Sequence, residues 1–138
     1  MQRGYSLIEL TLVLMIVSLI AATAALKIGD WQAAQNLDAA ARQLAADIRL
    51  LQQVTVNVNG SKGTPVMSLH AKGYYTTLSP LPINRTFPPS VNIVTADSVI
   101  FSVKDGTPTT VKTITLRRSD LKGSRQVIID SVGRVRIQ

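Results

Sequence analysis

From Tyr5 to Leu26 the chain runs through residues with one charge, Glu9, and with no glycine or proline. A helix of that length rises about 33 Å, which matches the hydrocarbon thickness of a bilayer. Lys27, Asp30 and Trp31 then mark a return to water, with an indole where an interface favours one. The pattern predicts a membrane-spanning helix over residues 5–26. A secretory signal peptide is the rival reading, with the Ala21–Ala25 run as its cleavage site. Against it stand the length of the apolar run and the carboxylate in its first half. Unless paired or neutralised, an acid in hydrocarbon costs at least a few kcal/mol, so Glu9 needs a reason that a disposable leader does not offer.

Gly4-Tyr5-Ser6-Leu7-Ile8-Glu9-Leu10 supplies one. The run resembles the processing motif of type IV pilins and type II secretion pseudopilins: a short basic leader ending in Gly, an aromatic, a short Ser/Thr-Leu-Ile stretch, then Glu. The resemblance implies a leader over residues 1–4, with cleavage by a prepilin peptidase between Gly4 and Tyr5 and methylation of the new Tyr5 amine. It also implies assembly through Glu9. A cationic amine on one subunit and the Glu9 carboxylate of another offset each other's burial and register the two chains. The resemblance places the C-terminal domain outside the cytoplasm, on a single-pass anchor in the inner membrane. Arg3, Lys27 and Arg42 are too few to orient the span by charge.

Beyond the anchor, Leu37, Ala41, Leu44, Ile48 and Leu51 recur at helical spacing, while Asp38, Arg42, Arg49 and Gln53 fall off that stripe. Asp38 precedes Arg42 by four residues, the favourable order for a helical ion pair. Asn57, Asn59 and Gly60 end the pattern. One helix is therefore expected from about Ser6 to Val54, with residues 27–58 as its amphipathic half. The chain has no proline before Pro65, whereas many major pilins carry one partway along this helix.

Residues 60–138 read as a β-domain. Strands are expected at Val66–His70, Tyr74–Leu78, Val91–Val94, Val99–Val103, Val111–Leu116, Arg125–Asp130 and Arg134–Ile137. The proline-rich stretch Ser79–Ser90 reads as a loop, and Lys104-Asp105-Gly106 and Ser131-Val132-Gly133 read as hairpin turns. The expected fold class is α+β, a long N-terminal helix packed on an antiparallel sheet. Leu44–Arg49, Gly73-Tyr74-Tyr75, Val99-Ile100-Phe101, Thr113–Leu116, Val127–Asp130 and Gly133–Arg136 are similar to the GspH/FimT group of minor pseudopilins and minor pilins.

The net charge is +7, and its placement is uneven. Lys104, Lys112, Arg117, Arg118, Lys122, Arg125, Arg134 and Arg136 face only Asp105, Asp120 and Asp130 over the last quarter of the chain, an excess of +5. That asymmetry suits a polyanion or an anionic surface. In the FimT branch a Gly-Arg-x-Arg run contacts DNA, and Gly133-Arg134-Val135-Arg136 matches it, which implies Arg134 and Arg136 as nucleic-acid contacts. The alternative is that Gly-Arg-Val merely closes a terminal hairpin.

No cysteine is present, so neither a disulfide nor a thiolate metal site is possible. His70 is the single histidine, and no cofactor, metal or catalytic set is expected. Asp97, Asp105, Asp120 and Asp130 stand too far apart in sequence for the clustered acidic loop with which major pseudopilins hold calcium. Two readings remain: a structural minor subunit of a pilus, competence or type II secretion filament, and a minor pilin that also captures DNA. The expected partners are the prepilin peptidase, other pilin or pseudopilin subunits, the inner membrane and, on the second reading, DNA.

Overall fold

The computed structural model describes residues 6–57, 64–77, 82–95 and 97–138, with side chains 24–27 left aside. Gly4, Tyr5, the Asn59-Gly60 stop and Leu78 lie outside the described residues. Helix α1 spans Leu7–Asn57, and eight strands follow: β1 Val66–His70, β2 Gly73–Thr76, β3 Asn84–Thr86, β4 Val91–Ile93, β5 Ser98–Ile100, β6 Lys112–Arg118, β7 Ser124–Ile129 and β8 Val135–Ile137. The chain divides into two compact units, residues 1–32 and 33–138.

In the first unit α1 presents apolar side chains from Leu7 to Ile20 without covering any of them. This helix is long and apolar enough to cross a membrane.

In the second unit the fold class is the expected α+β, with two antiparallel sheets instead of one. Their orders are β3-β2-β1-β5 and β4-β6-β7-β8. The helical stripe Leu37, Ala41, Leu44, Ile48 and Leu51 is buried along its whole length. Ala40 and Ala45 flank it and are buried too, so small side chains let strands approach the helix closely. Alternate residues from both sheets complete one core: Met67 and Leu69, Val99, Ile114 and Leu116, Val127 and Ile129.

Three expectations are corrected. The Ser79–Ser90 loop contains strand β3, whose three residues are all exposed and carry no apolar alternation. Its ladder to β2, with Gly73 opposite Thr86 and Tyr74 opposite Arg85, makes it an edge strand by backbone bonding alone. A Cβ on Gly73 would lie 2.1 Å from the Arg85 carbonyl oxygen, so only glycine admits that approach. Second, the strand expected at Val99–Val103 ends at Ile100. Phe101 makes a single bridge to Pro108, and the chain then turns back: Ser102 N–H donates to Thr107 O at 2.8 Å and Gly106 N–H to Ser102 O at 2.9 Å. Third, Asp38 pairs with Arg125 of β7 at 2.7 Å rather than with Arg42. Tertiary packing takes the carboxylate from its helical neighbour.

Asp47 is the buried acid of this core, and sequence periodicity did not single it out. It sits three residues after Leu44, close enough to the stripe to be covered, with its side chain 8% exposed. Tyr74 Oη donates to Asp47 Oδ2 at 2.7 Å, Gln43 Nε2 to Oδ1 at 3.1 Å, and Arg85 Nε lies 3.4 Å from Oδ2. β2 and β3 thereby clamp the helix through one carboxylate, and its charge is hydrogen-bonded as burial requires.

Burial, then the Asp47 hydrogen bond, pushes the Tyr74 phenol far above its ordinary range, while Arg85 acts weakly in the opposite direction. The folded state thus holds this proton more tightly than the unfolded chain does. That stability is full below the unfolded phenol value of about 10 and drains as pH rises beyond it. Tyr74→Phe is expected to cost about 1–3 kcal/mol at neutral pH, because Asp47 loses a buried donor. It should also flatten the alkaline loss of stability; urea midpoints across that pH range measure both effects.

Candidate functional site

The predicted assembly residues fall in the first unit. Gly4 and Tyr5 are outside the described residues. Glu9 is exposed in the first turn of α1, where its N–H donates to Ser6 O at 3.0 Å. Every described side-chain hydroxyl of the α1 segment Leu7–Thr23 folds back on its own helix: Thr11 Oγ1 donates to Ile8 O at 2.9 Å, Ser18 Oγ to Met15 O at 2.8 Å and Thr23 Oγ1 to Ile20 O at 2.9 Å. A helix in lipid must satisfy its polar groups internally, and these three do so. Glu9 is different. Among the described residues its carboxylate has no hydrogen bond or ion pair, so the segment offers one unmatched polar group.

The predicted nucleic-acid residues fall in the β7–β8 hairpin. Gly133 has φ +80, the left-handed conformation its turn needs. A Cβ there would lie 2.4 Å from Gln52 Nε2, which donates to Gly106 O at 2.8 Å. Gln52 of the helix therefore seats both glycine turns, Gly106 and Gly133, at one end of the unit. The next residues alternate: Val135 is buried, while Arg134 and Arg136 have side chains 70% and 57% exposed. Arg49 NH2 donates to Val135 O at 3.0 Å and fastens β8 to the helix.

The sequence places Asp130 at the end of the strand before this turn but gives it no role there. Its Oδ1 accepts the Val132 and Arg134 N–H groups at 3.2 and 2.8 Å, building the turn. Its Oδ2 lies 3.8 Å from Arg134 Nε and 4.0 Å from Arg136 NH2, between the two guanidiniums. The i,i+4 spacing of Asp130 and Arg134 was the available signal, although it acts here through a turn and not a helix. Asp130 gathers both arginines on one side of β8.

The basic tail is also less unbalanced than its count suggests. Asp38 meets Arg125, and Asp97 meets Lys112, so two acids from outside the tail reach into it. The Lys112 hydrogen bond, followed by the Ser98 N–H, holds the Asp97 carboxyl below its usual range. Asp120 pairs locally with Arg118 at 2.6 Å in the turn after β6, while the other two pairs join separate segments of the chain. An open groove of about 220 Å³ beside the Asp47 cluster is lined by Asn36, Gln43, Arg85 and Phe87. No cluster of His, Asp or Glu among the described residues is arranged to hold a metal.

No family model, curated protein or solved structure matches this chain. The layout of one long apolar N-terminal helix with an antiparallel α+β domain is compatible with a pilin.

Proposed function

We propose that this chain is a non-catalytic minor subunit of a type IV pilus, competence or type II secretion filament, cut after Gly4 and assembled through its N-terminal helix. The supporting observation is an apolar helical segment, Leu7–Thr23, whose hydroxyls bond to their own helix and whose Glu9 carboxylate, among the described residues, is unmatched. In this reading the prepilin peptidase exposes and methylates the Tyr5 amine on the cytoplasmic side. The domain stands outside the inner membrane, and neighbouring pilin subunits pair amine with carboxylate.

Two measurements test it. The intact mass of the protein from its host should show loss of Met1–Gly4 and gain of one methyl group; a mature N-terminus near Ala25 would instead establish a signal peptide. Glu9→Ala should insert in the membrane at least as well as wild type, since a buried charge is gone. It should fail to crosslink to neighbouring subunits or enter filaments, and normal incorporation would remove Glu9 from its registering role.

DNA capture is a second reading, favoured by the exposure of Arg134 and Arg136 on one side of β8. Guanidinium–phosphate contacts would be independent of base sequence and weakened by salt. With the chain in neutral detergent, fluorescence anisotropy should report weak duplex binding. Changing both arginines to Gln should flatten the log–log salt slope by about two. Equal binding by wild type and the double variant would leave the motif as a hairpin closure alone.

A further inference from the structure

The two sheets, each of four strands, have four edges, and every edge carries a row of backbone N–H and C=O groups that must be covered or left open. Three are met, wholly or in part, from within the fold. On β4, Val91 N–H donates to Pro88 O at 3.0 Å and Ile93 N–H to Ala71 O at 2.9 Å. On β5, Ile100 O accepts the Thr109 N–H at 3.0 Å, and Ser98 O accepts Lys112 Nζ. On β8, Arg49 caps Val135 O. β3 is the exception. Its bonds to β2 run through alternate residues: Thr76 N–H donates to Ile83 O and Phe87 N–H to Lys72 O, both at 2.8 Å, which puts Arg85 in the bonded position between them. Asn84 and Thr86 therefore turn both backbone groups away from β2, and among the described residues nothing bonds to them.

The open edge borders a groove of about 220 Å³. Asn36, Ala39, Ala40 and Gln43 form its helical wall, one face of α1 at i, i+3, i+4 and i+7, and Phe87 and Pro88 line it from the strand side. Ala39 and Ala40 project only methyl groups, so a backbone can come close to that wall. Arg85 shows which way a neighbouring strand would face. Its side chain lies toward α1, with Nε 3.4 Å from Asp47 Oδ2. Directly opposed residues of adjacent strands share a face. A residue set opposite Arg85 on a fifth strand would point the same way, over the groove, while its two neighbours bond to Asn84 and Thr86. Arg85 is already matched by Asp47, so the groove suits an apolar side chain and not a charge. Pro82 and Pro88 bracket the edge and limit it to one short segment.

We propose that β3 is an acceptor for strand addition. An extended segment of another protein chain pairs antiparallel with Asn84–Thr86 and sets one apolar side chain between Phe87 and the alanines of α1. An extended backbone offers N–H and C=O groups at the spacing that Asn84 and Thr86 present, and the groove selects the residue between the two bonded ones. The assignment does not depend on the filament reading, because every residue in it lies in the second unit.

The test uses the full chain in neutral detergent and a fluorescein-labelled heptapeptide, a central leucine with three threonines on each side. Its anisotropy should rise saturably. N-methylation of the two threonines next to the leucine removes the N–H groups that face β3 and should weaken binding about tenfold. N-methylation of the leucine, whose N–H faces away, should leave binding within about twofold. Thr86→Pro removes an open N–H without touching a ladder bond to β2, and Ala39→Glu fills the groove from an exposed helix position. Each should weaken binding about tenfold or more with near-UV circular dichroism unchanged. Should Thr86→Pro disturb the fold, Ala39→Glu carries the test by itself. Equal effects of the two methylations, or none, would reduce the contact to apolar adhesion and overturn strand addition. So would binding that neither variant weakens, or no binding of the heptapeptide at millimolar concentration. A chain that is dimeric in detergent and becomes monomeric on Thr86→Pro would assign the edge to a second copy and overturn the partner proposed here.

Discussion

The narrow apolar stripe that α1 carries from Leu37 to Leu51 must be covered, and covering it organises residues 33–138. Two short, strongly cut sheets do this together, contributing alternate residues to one core. The alanines at 40, 41 and 45 decide how closely those strands approach, because a larger side chain there would hold them off the helix. Burial of the stripe brings Asp47 inside with it. That acid is tolerated because Tyr74, Gln43 and Arg85 meet it, and the meeting requires β3 to press against Gly73. A weakly patterned edge strand is thus tied to the centre of the domain.

The same helix supplies fasteners at several levels. Asn36 holds Ser90, Asp38 holds Arg125, Arg49 holds the β8 backbone, and Gln52 seats Gly106 and Gly133. Arg125 of the basic tail is held in this way, and Lys112 is held by Asp97, also from outside the tail. Arg134 and Arg136 differ from these fasteners: their partner Asp130 is local, their side chains are largely exposed, and their ion pairs are long. Exposed pairs of this kind contribute about 0–1 kcal/mol, so an incoming polyanion would displace little. Charge is therefore distributed by role, with structural pairs against the helix and available guanidiniums on the hairpin.

The two ends of the domain also differ. At the Gln52 end, positive-φ positions are filled by glycines packed against the helix. At the Leu37 end a leucine occupies such a position and faces outward. A fold can satisfy a left-handed turn with the residue it favours, and here it does so twice.

Elements governed by periodicity were legible in the chain. The apolar run, the stripe from Leu37 to Leu51 and strands such as Val66–His70 and Val127–Ile129 follow from spacing alone, since side-chain direction repeats with backbone geometry. Strand β3 was not legible, because Asn84-Arg85-Thr86 has no apolar alternation and forms only where β2 presents an unpaired edge. The partner of Asp38 and the burial of Asp47 depended on residues distant in sequence, and the end of β5 at Ile100 on the turn over 102–107 that reverses the chain there. The place of Asp130 between Arg134 and Arg136 depended on the turn geometry. Sequence by itself determined which faces had to leave water and where the one carboxylate of the apolar segment stands. Only the tertiary structure decided which charges are paired, which buried acid the core accepts, and which turns face outward. Those outcomes depend on distances between atoms that local patterns do not constrain.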